Sequence, residues 1–236
     1  MSETYSYSKL SCFKQCNYLY FLKYVKKLKA PFSNSPALEK GSFIHYLLEN
    51  YPNVGVEYKL TFPNVLTKEQ EYRNFVVQLV TETEKIKFLY REDVLYAREQ
   101  QFYLDKNLNI VETKEESLFN GVIDYVGLYN KAVILVDWKT GQSQNLASLD
   151  QLEFYTMWAF KKFPEADRVI CFLMFVEQGK FKQITVHRSK LEELQTKYLS
   201  MIGHIETMTE FKKNRNDKCG YCAFLTECNK INLKRN

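Results

Sequence analysis

Gly121-Val-Ile-Asp124-Tyr-Val-Gly127 and Val133-Ile-Leu-Val-Asp137-Trp-Lys139-Thr-Gly141 are two apolar stretches, each with an aspartate set into it. Their β-branched and aromatic content reads as strand, and Tyr129-Asn130-Lys131 between them reads as a hairpin connection. A carboxylate on a buried strand is costly unless it is paired or holds a metal. Asp137 and Lys139 are two apart, so a strand sets both on one face. Pairing of the two strands brings Asp124 towards Asp137. Such carboxylates suit a hard divalent cation, Mg²⁺ or Mn²⁺, and the Lys139 ammonium can then stabilise or orient an attacking hydroxide or a phosphate. The plainer reading is a surface Asp–Lys pair at a strand end, because Asp-x-Lys by itself is common.

Outward from this pair, strands are expected at Tyr96 to Leu104, Leu118 to Leu128, Ala132 to Trp138, Val169 to Val176 and Phe181 to Val186. Helices are expected at residues 6–29 (capped by Ser8), Gly41 to Tyr51, Thr67 to Tyr90, Leu149 to Lys162, and Ser189 to Lys212. Pro31 to Pro36 is read as a loop break. The order is helices, three strands, a helix, two strands, a helix and a cysteine-rich tail. It predicts an α/β (α+β) fold, a central mixed sheet flanked by helices.

The 236 residues suit one large domain, 45% hydrophobic and 26% charged. A net charge of +5 fits phosphate binding without identifying a nucleic-acid protein, and the basic runs Lys23 to Lys29 and Lys230 to Arg235 are read as solvated surface. The seventeen Tyr and seventeen Phe are taken mainly as core. No apolar run reaches the roughly 18–20 residues that span a bilayer, and no secretory signal is visible at Met1 to Tyr5, so an intracellular, cytoplasmic chain is expected. In that setting six cysteines point to metal ligands or core residues more than to disulfides. Cys219-Gly-Tyr-Cys222 followed by Cys228 offers three close thiolates, which call for a soft metal and a fourth ligand. Cys12, Cys16 and Cys171 are the candidates, with Cys171 inside an apolar run and read as core.

Gly-x-Ile-Asp, a hairpin and Asp-x-Lys-Thr-Gly together resemble the active-site core of the RecB-like PD-(D/E)XK nucleases. Three further matches follow the family's order: Gly41-Ser-Phe-Ile-His45 for the helix with a metal-binding histidine, Glu99 for the acidic position on the preceding strand, and Gln151-Leu-Glu-Phe-Tyr155 for the helix after the core. The resemblance implies that His45, Asp124, Asp137 and the Trp138 carbonyl hold the ion. It gives Lys139, Glu99, Gln151 and Tyr155 supporting catalytic roles: Glu99 serves a second metal or a basic neighbour, and Gln151 and Tyr155 contact DNA or position Lys139. The stretch Ser6 to Tyr20 resembles the opening of the iron–sulfur members, which include AddB-type nucleases, the CRISPR-associated RecB-like exonucleases and viral relatives. That implies a [4Fe–4S] cluster on Cys16, Cys219, Cys222 and Cys228, with a four-cysteine zinc site as the alternative. Asn17 stands where the family usually has proline. On this reading residues 1–236 are one nuclease domain, with 41–212 as the core and 1–40 and 213–236 as the cluster region.

The resemblance further implies a DNA substrate, single-stranded or with free ends, cut as an exonuclease of 5′→3′ polarity. The competing readings are an endonuclease or flap nuclease with the same site, a non-catalytic iron–sulfur DNA-binding partner in a recombination or CRISPR-type complex, and a zinc-dependent structural protein.

Overall fold

The structure, a computed structural model, describes residues 3–30, 35–141 and 149–230. A six-stranded mixed sheet runs through it. Its strands are β1 (Tyr5–Ser6), β2 (Leu95–Leu104), β3 (Phe119–Tyr129), β4 (Ala132–Lys139), β5 (Arg168–Phe175) and β6 (Lys180–His187). The helices are α1 (Tyr7–Gln15), α2 (Asn17–Tyr20), α3 (Pro36–Asn50), α4 (Pro63–Leu66), α5 (Glu69–Glu82), α6 (Glu84–Leu89), α7 (Asp150–Lys162), α8 (Leu191–Thr207) and α9 (Leu225–Lys230). Most of the expected Pro31 to Pro36 break and the basic tail beyond Lys230 lie outside the described residues.

The expected mixed sheet between helices is what the chain forms. On one face α1, α7 and α8 contribute Leu10, Phe13, Phe154, Trp158, Tyr198 and Ile202 to a core shared with Phe102, Val133 and Leu135. On the other face α3 and α5 set Phe43, Leu47, Val76 and Leu79 against Tyr125, Val136 and Trp138. Residues of β4 alternate between the two cores, as the period of a strand requires. Burial of apolar area on both faces is the main stabilising term. The β3–β4 turn is tighter than expected: Tyr129 pairs with Ala132, leaving Asn130 and Lys131 with φ of 48° and 61°. Two left-handed central residues match the right-handed twist of a hairpin. Among the described residues no helix is long and apolar enough to cross a membrane.

Several boundaries differ from expectation, each for a local reason. The N-terminal helix is capped by Ser6, whose Oγ accepts the Lys9 N–H at 3.3 Å, and not by Ser8. It breaks at Cys16, which is extended at φ −163°, and resumes as α2 and a π-turn, Phe21–Val25. The helix holding His45 begins earlier than Gly41, where Ser35 caps Pro36. The single helix expected from Thr67 to Tyr90 is two: α5 starts after Lys68 without a side-chain cap from Thr67, and Thr83 turns extended before α6. The final helix starts at Leu191 after a 3₁₀ turn, Arg188–Lys190, so Ser189 is not its cap, and it ends at Thr207.

The strand β1 had no visible pattern in the sequence, yet it shapes the sheet. Phe119 and Asn120 of β3 pair with Leu104 and Tyr103 of β2, and also, in parallel, with Tyr5 and Ser6. β1 therefore lies on the edge of β3 that β4 covers further along. β4 pairs with β3 only over Tyr125–Tyr129, so the two strands part at Asp124 and Asp137. The sheet is forked there. Opposite the fork α7 presses close: an added Cβ on Gly121 would lie 2.7 Å from ring carbons of both Phe102 and Tyr155.

Two substitutions test this packing. Leu135→Ala, at a fully buried position of β4, should cost about 2–5 kcal/mol of stability in denaturant titration. Gly121→Ala should cost about 1–3 kcal/mol, because two rings held by different elements must shift together. A Gly121→Ala protein as stable as the parent would show that α7 does not press on β3 here.

Candidate metal centre

At the fork an Asp124 side-chain oxygen replaces the missing strand partner. Its Oδ2 accepts the Trp138 N–H at 2.8 Å. The alternation of β3 changes at the same point: Ile123 packs in the first core and Tyr125 in the second. On β2 the register sets Glu99 opposite Asp124, between the pairs Arg98–Tyr125 and Gln100–Ile123. Glu99 is left-handed, with φ of 46°. A left-handed non-glycine residue in a strand costs on the order of 1–3 kcal/mol and persists only where its surroundings hold it. Arg98 supplies such a hold: its guanidinium donates to the Glu49 and Tyr51 carbonyls at 2.7 and 2.5 Å and lies over the Tyr90 ring.

The third side chain comes from α3. His45 Nδ1 lies 3.5 Å from Asp124 Oδ2. Ligand atoms of His45, Glu99 and Asp124 all fall within 4.8 Å of one another, in a cleft of about 500 Å³ that Ser42, Glu49 and Thr140 also line. Gly41 brings the helix in, since a Cβ there would lie 2.8 Å from Thr140 Oγ1. Asp137, only 4% exposed, sits beside this trio. Its Oδ2 is 2.5 Å from Lys139 Nζ and accepts no well-directed hydrogen bond.

Charge in the cleft is unbalanced. Burial, then Asp137 and Glu99, raise the Asp124 pKa well above the ordinary carboxylate range, and the Trp138 N–H only partly offsets this. Burial, then Glu49 and Asp137, raise that of Glu99. Burial raises that of Asp137 against the pull of Lys139 and His45. Burial lowers the His45 pKa, opposed by Asp137 and the Trp138 carbonyl, and so favours the neutral imidazole that can bind a metal. Hard oxygen donors with one imidazole and excess negative charge fit a divalent cation.

Gln151 and Tyr155 share a face of α7, as their spacing requires, and Gln151 Nε2 donates to the Tyr155 hydroxyl at 2.7 Å. Burial, and then the charges of Asp137, Asp124 and Glu99, raise the Tyr155 pKa, so the phenol stays protonated beside the acids. Of the six expected catalytic positions, Glu99 and Asp124 share the cleft with His45, Asp137 pairs with Lys139, and Gln151 bonds to Tyr155 on α7. The structure differs from the expected ligand set in emphasis: Glu99 joins His45 and Asp124, whereas Asp137 faces Lys139. Glu49 was missed, although it lies one turn after His45 on the same helix face.

The four expected cysteines also converge. Cys16, Cys219, Cys222 and Cys228 line one small hollow of about 30 Å³ with Tyr18, Leu22 and Phe224. Backbone N–H groups of Asn214 and Asn216 point at the sulfurs of Cys16 and Cys219, at 3.4 and 3.3 Å. Cys171 is fully buried core, as expected. Burial pushes the Cys12 thiol up to about 11, which keeps it protonated beside the group.

No curated protein matches the chain. The crystal structure of SSO0001 aligns over 84% of this chain and 98% of that one, with 13% identity and a TM-score of 0.37. The model of the PD-(D/E)XK nuclease superfamily matches residues 4–229, a span that holds the forked sheet, the acidic cleft and the four converging cysteines. The chain belongs to the PD-(D/E)XK nuclease superfamily, whose fold implies metal-dependent hydrolysis of nucleic-acid phosphodiesters.

Proposed function

We propose that this chain is a Mg²⁺- or Mn²⁺-dependent deoxyribonuclease of the RecB-like group that acts on single-stranded or free-ended DNA as an exonuclease. The 5′→3′ polarity is carried over from the family resemblance alone. The observation that supports the activity is the meeting of His45, Glu99 and Asp124 within 4.8 Å, beside the Asp137–Lys139 pair. His45, Glu99, Asp124, Asp137 and the Trp138 carbonyl would hold the ion. When bound, it would polarise a phosphate oxygen and lower the pKa of a water. Lys139, positioned by Asp137, carries the cation that meets the negative charge growing on the phosphate. Tyr155 is a protonated donor, turned by Gln151, on the same side of the sheet.

The cysteine group is proposed to hold a [4Fe–4S] cluster. Two backbone N–H groups aimed at sulfurs are the donors that stabilise cluster thiolates. Cys219-Gly-Tyr-Cys222 is a single Cys-x-x-Cys knuckle, whereas four-cysteine zinc sites usually draw on two. A cluster here would tie residue 16 to residues 219–228 and stabilise the fold by closing that long loop.

End-labelled single- and double-stranded DNA, linear and circular, incubated with Mg²⁺ or Mn²⁺, tests the activity. Loss of linear single strands from one end is expected, with circles intact. Cutting of circles would make the enzyme an endonuclease. Lys139→Ala should lower the rate about 10²- to 10³-fold with DNA binding retained, and EDTA should stop cutting. Full activity in Lys139→Ala would sink the assigned site.

For the cluster, the purified protein should be brown and contain iron and acid-labile sulfide, and Cys16→Ser should bleach it. A colourless protein with one zinc per chain would replace the cluster with the zinc alternative.

A further inference from the structure

A second cleft, of about 670 Å³, runs between α1, the π-turn and the cysteine-bearing tail. Its lining includes Ser8, Ser11, Lys23, Gln151, Lys218 and Tyr221. No carboxylate is among its described lining residues, and among the described residues neither lysine pairs with one. Tyr221 is 94% exposed, against 59% for the next most exposed large hydrophobic side chain among the described residues. An aromatic ring left this far in water needs a reason, because aromatic side chains gain most by covering their apolar faces. Its perch is fixed: Asn216 caps the 3₁₀ turn Asp217–Tyr221 by accepting the Lys218 N–H at 3.0 Å, and Cys219 and Cys222 flank the ring's residue.

We propose that this cleft is the seat of a single DNA strand, with Tyr221 as a platform on which a base stacks and Lys23 and Lys218 as phosphate contacts. Gln151 joins it to the chemistry, since it lines this cleft and donates to Tyr155 beside the acidic residues. A protruding ring among cations and hydroxyls suits unpaired bases, whose faces are free. In a duplex those faces are already stacked on one another. The assignment rests on the nuclease reading above and adds to it the path and the strand form of the substrate.

Binding of a fluorescently labelled oligothymidylate, followed by anisotropy with EDTA present to prevent cutting, tests the cleft. Tyr221→Ala should weaken affinity at least about fivefold, the lower bound for losing one base–aromatic stack, while Tyr221→Phe stays within about twofold. Lys23→Ala with Lys218→Ala should flatten the log–log salt dependence by about 1.4, at about 0.7 per single-strand phosphate contact. Iron content reports whether the tail stays assembled, and Lys23→Ala, remote from the tail cysteines in sequence, gives an independent reading if Tyr221→Ala disturbs it. Unchanged affinity and slope in these variants, with cutting intact, would overturn the cleft and leave the nuclease standing. Binding confined to duplex would also overturn it. A parent protein that neither binds nor cuts any DNA would remove the nuclease reading itself.

Discussion

Negative charge gathered in a partly dry cleft is the constraint around which this molecule is built. Asp124, Asp137 and Glu99 crowd together, Lys139 pairs with Asp137, and burial raises the pKa of each acid. An isolated carboxylate in such a place costs several kcal/mol and would ordinarily be replaced by an apolar residue. The fold accommodates these acids by opening its own sheet. Where β3 and β4 part, Asp124 takes the Trp138 N–H that a strand would have taken, so the backbone donor is satisfied while the carboxylate remains beside the cleft. Glu99 reaches the same cleft through a left-handed backbone that the Arg98 contacts help to hold. The cores on both faces of the sheet supply the stability that lets these local costs persist.

The cysteine region is mechanically joined to this fork. β1 pairs with β3 at Phe119 and Asn120, just short of Gly121, and leads directly into α1 and then Cys16. Lys212 and Asn214 fasten the other side, the former accepting the Tyr18 N–H through its carbonyl at 3.1 Å and the latter donating to the Cys16 sulfur. Whatever holds Cys16 to the C-terminal cysteines therefore also holds the strand that occupies the open edge of β3. Stacking of Phe21 and Tyr20 on Phe211 adds an apolar seam to the same junction.

Much of this was legible in the sequence, and the failures have physical causes. The strands, the hairpin and the Asp137–Lys139 face follow from period and turn chemistry, which are local. β1 is two residues long and owes its existence to an edge of β3 far away in sequence, so no periodicity could announce it. The break at Cys16 arises from contacts with residues 212–216, and the interruption at Thr83 leaves an otherwise continuous apolar stripe intact. The left-handed Glu99 is invisible for the same reason, since a glutamate in a β-rich run gives no hint of positive φ. Glu49 stands one turn beyond His45, but an acid on the polar face of a helix carries no signal of its own in the sequence.

The motif spacings, each weak by itself, become consequences of a single packing arrangement. Gly121 admits the Tyr155 ring, and three residues on β3 reaches the fork, where Asp124 meets the backbone of Trp138. One residue before Trp138 lies Asp137 and one after it Lys139, so the amide that Asp124 binds sits between the acid and the ammonium that neutralise each other. Gly41 lets α3 touch Thr140, the next residue of that segment, and one helical turn later His45 faces Asp124. Moving any one of these residues by a single position would turn its side chain to another face or out of reach. Glycine, acid, lysine and histidine are therefore fixed relative to one another by sterics and backbone hydrogen bonding before any ion is considered.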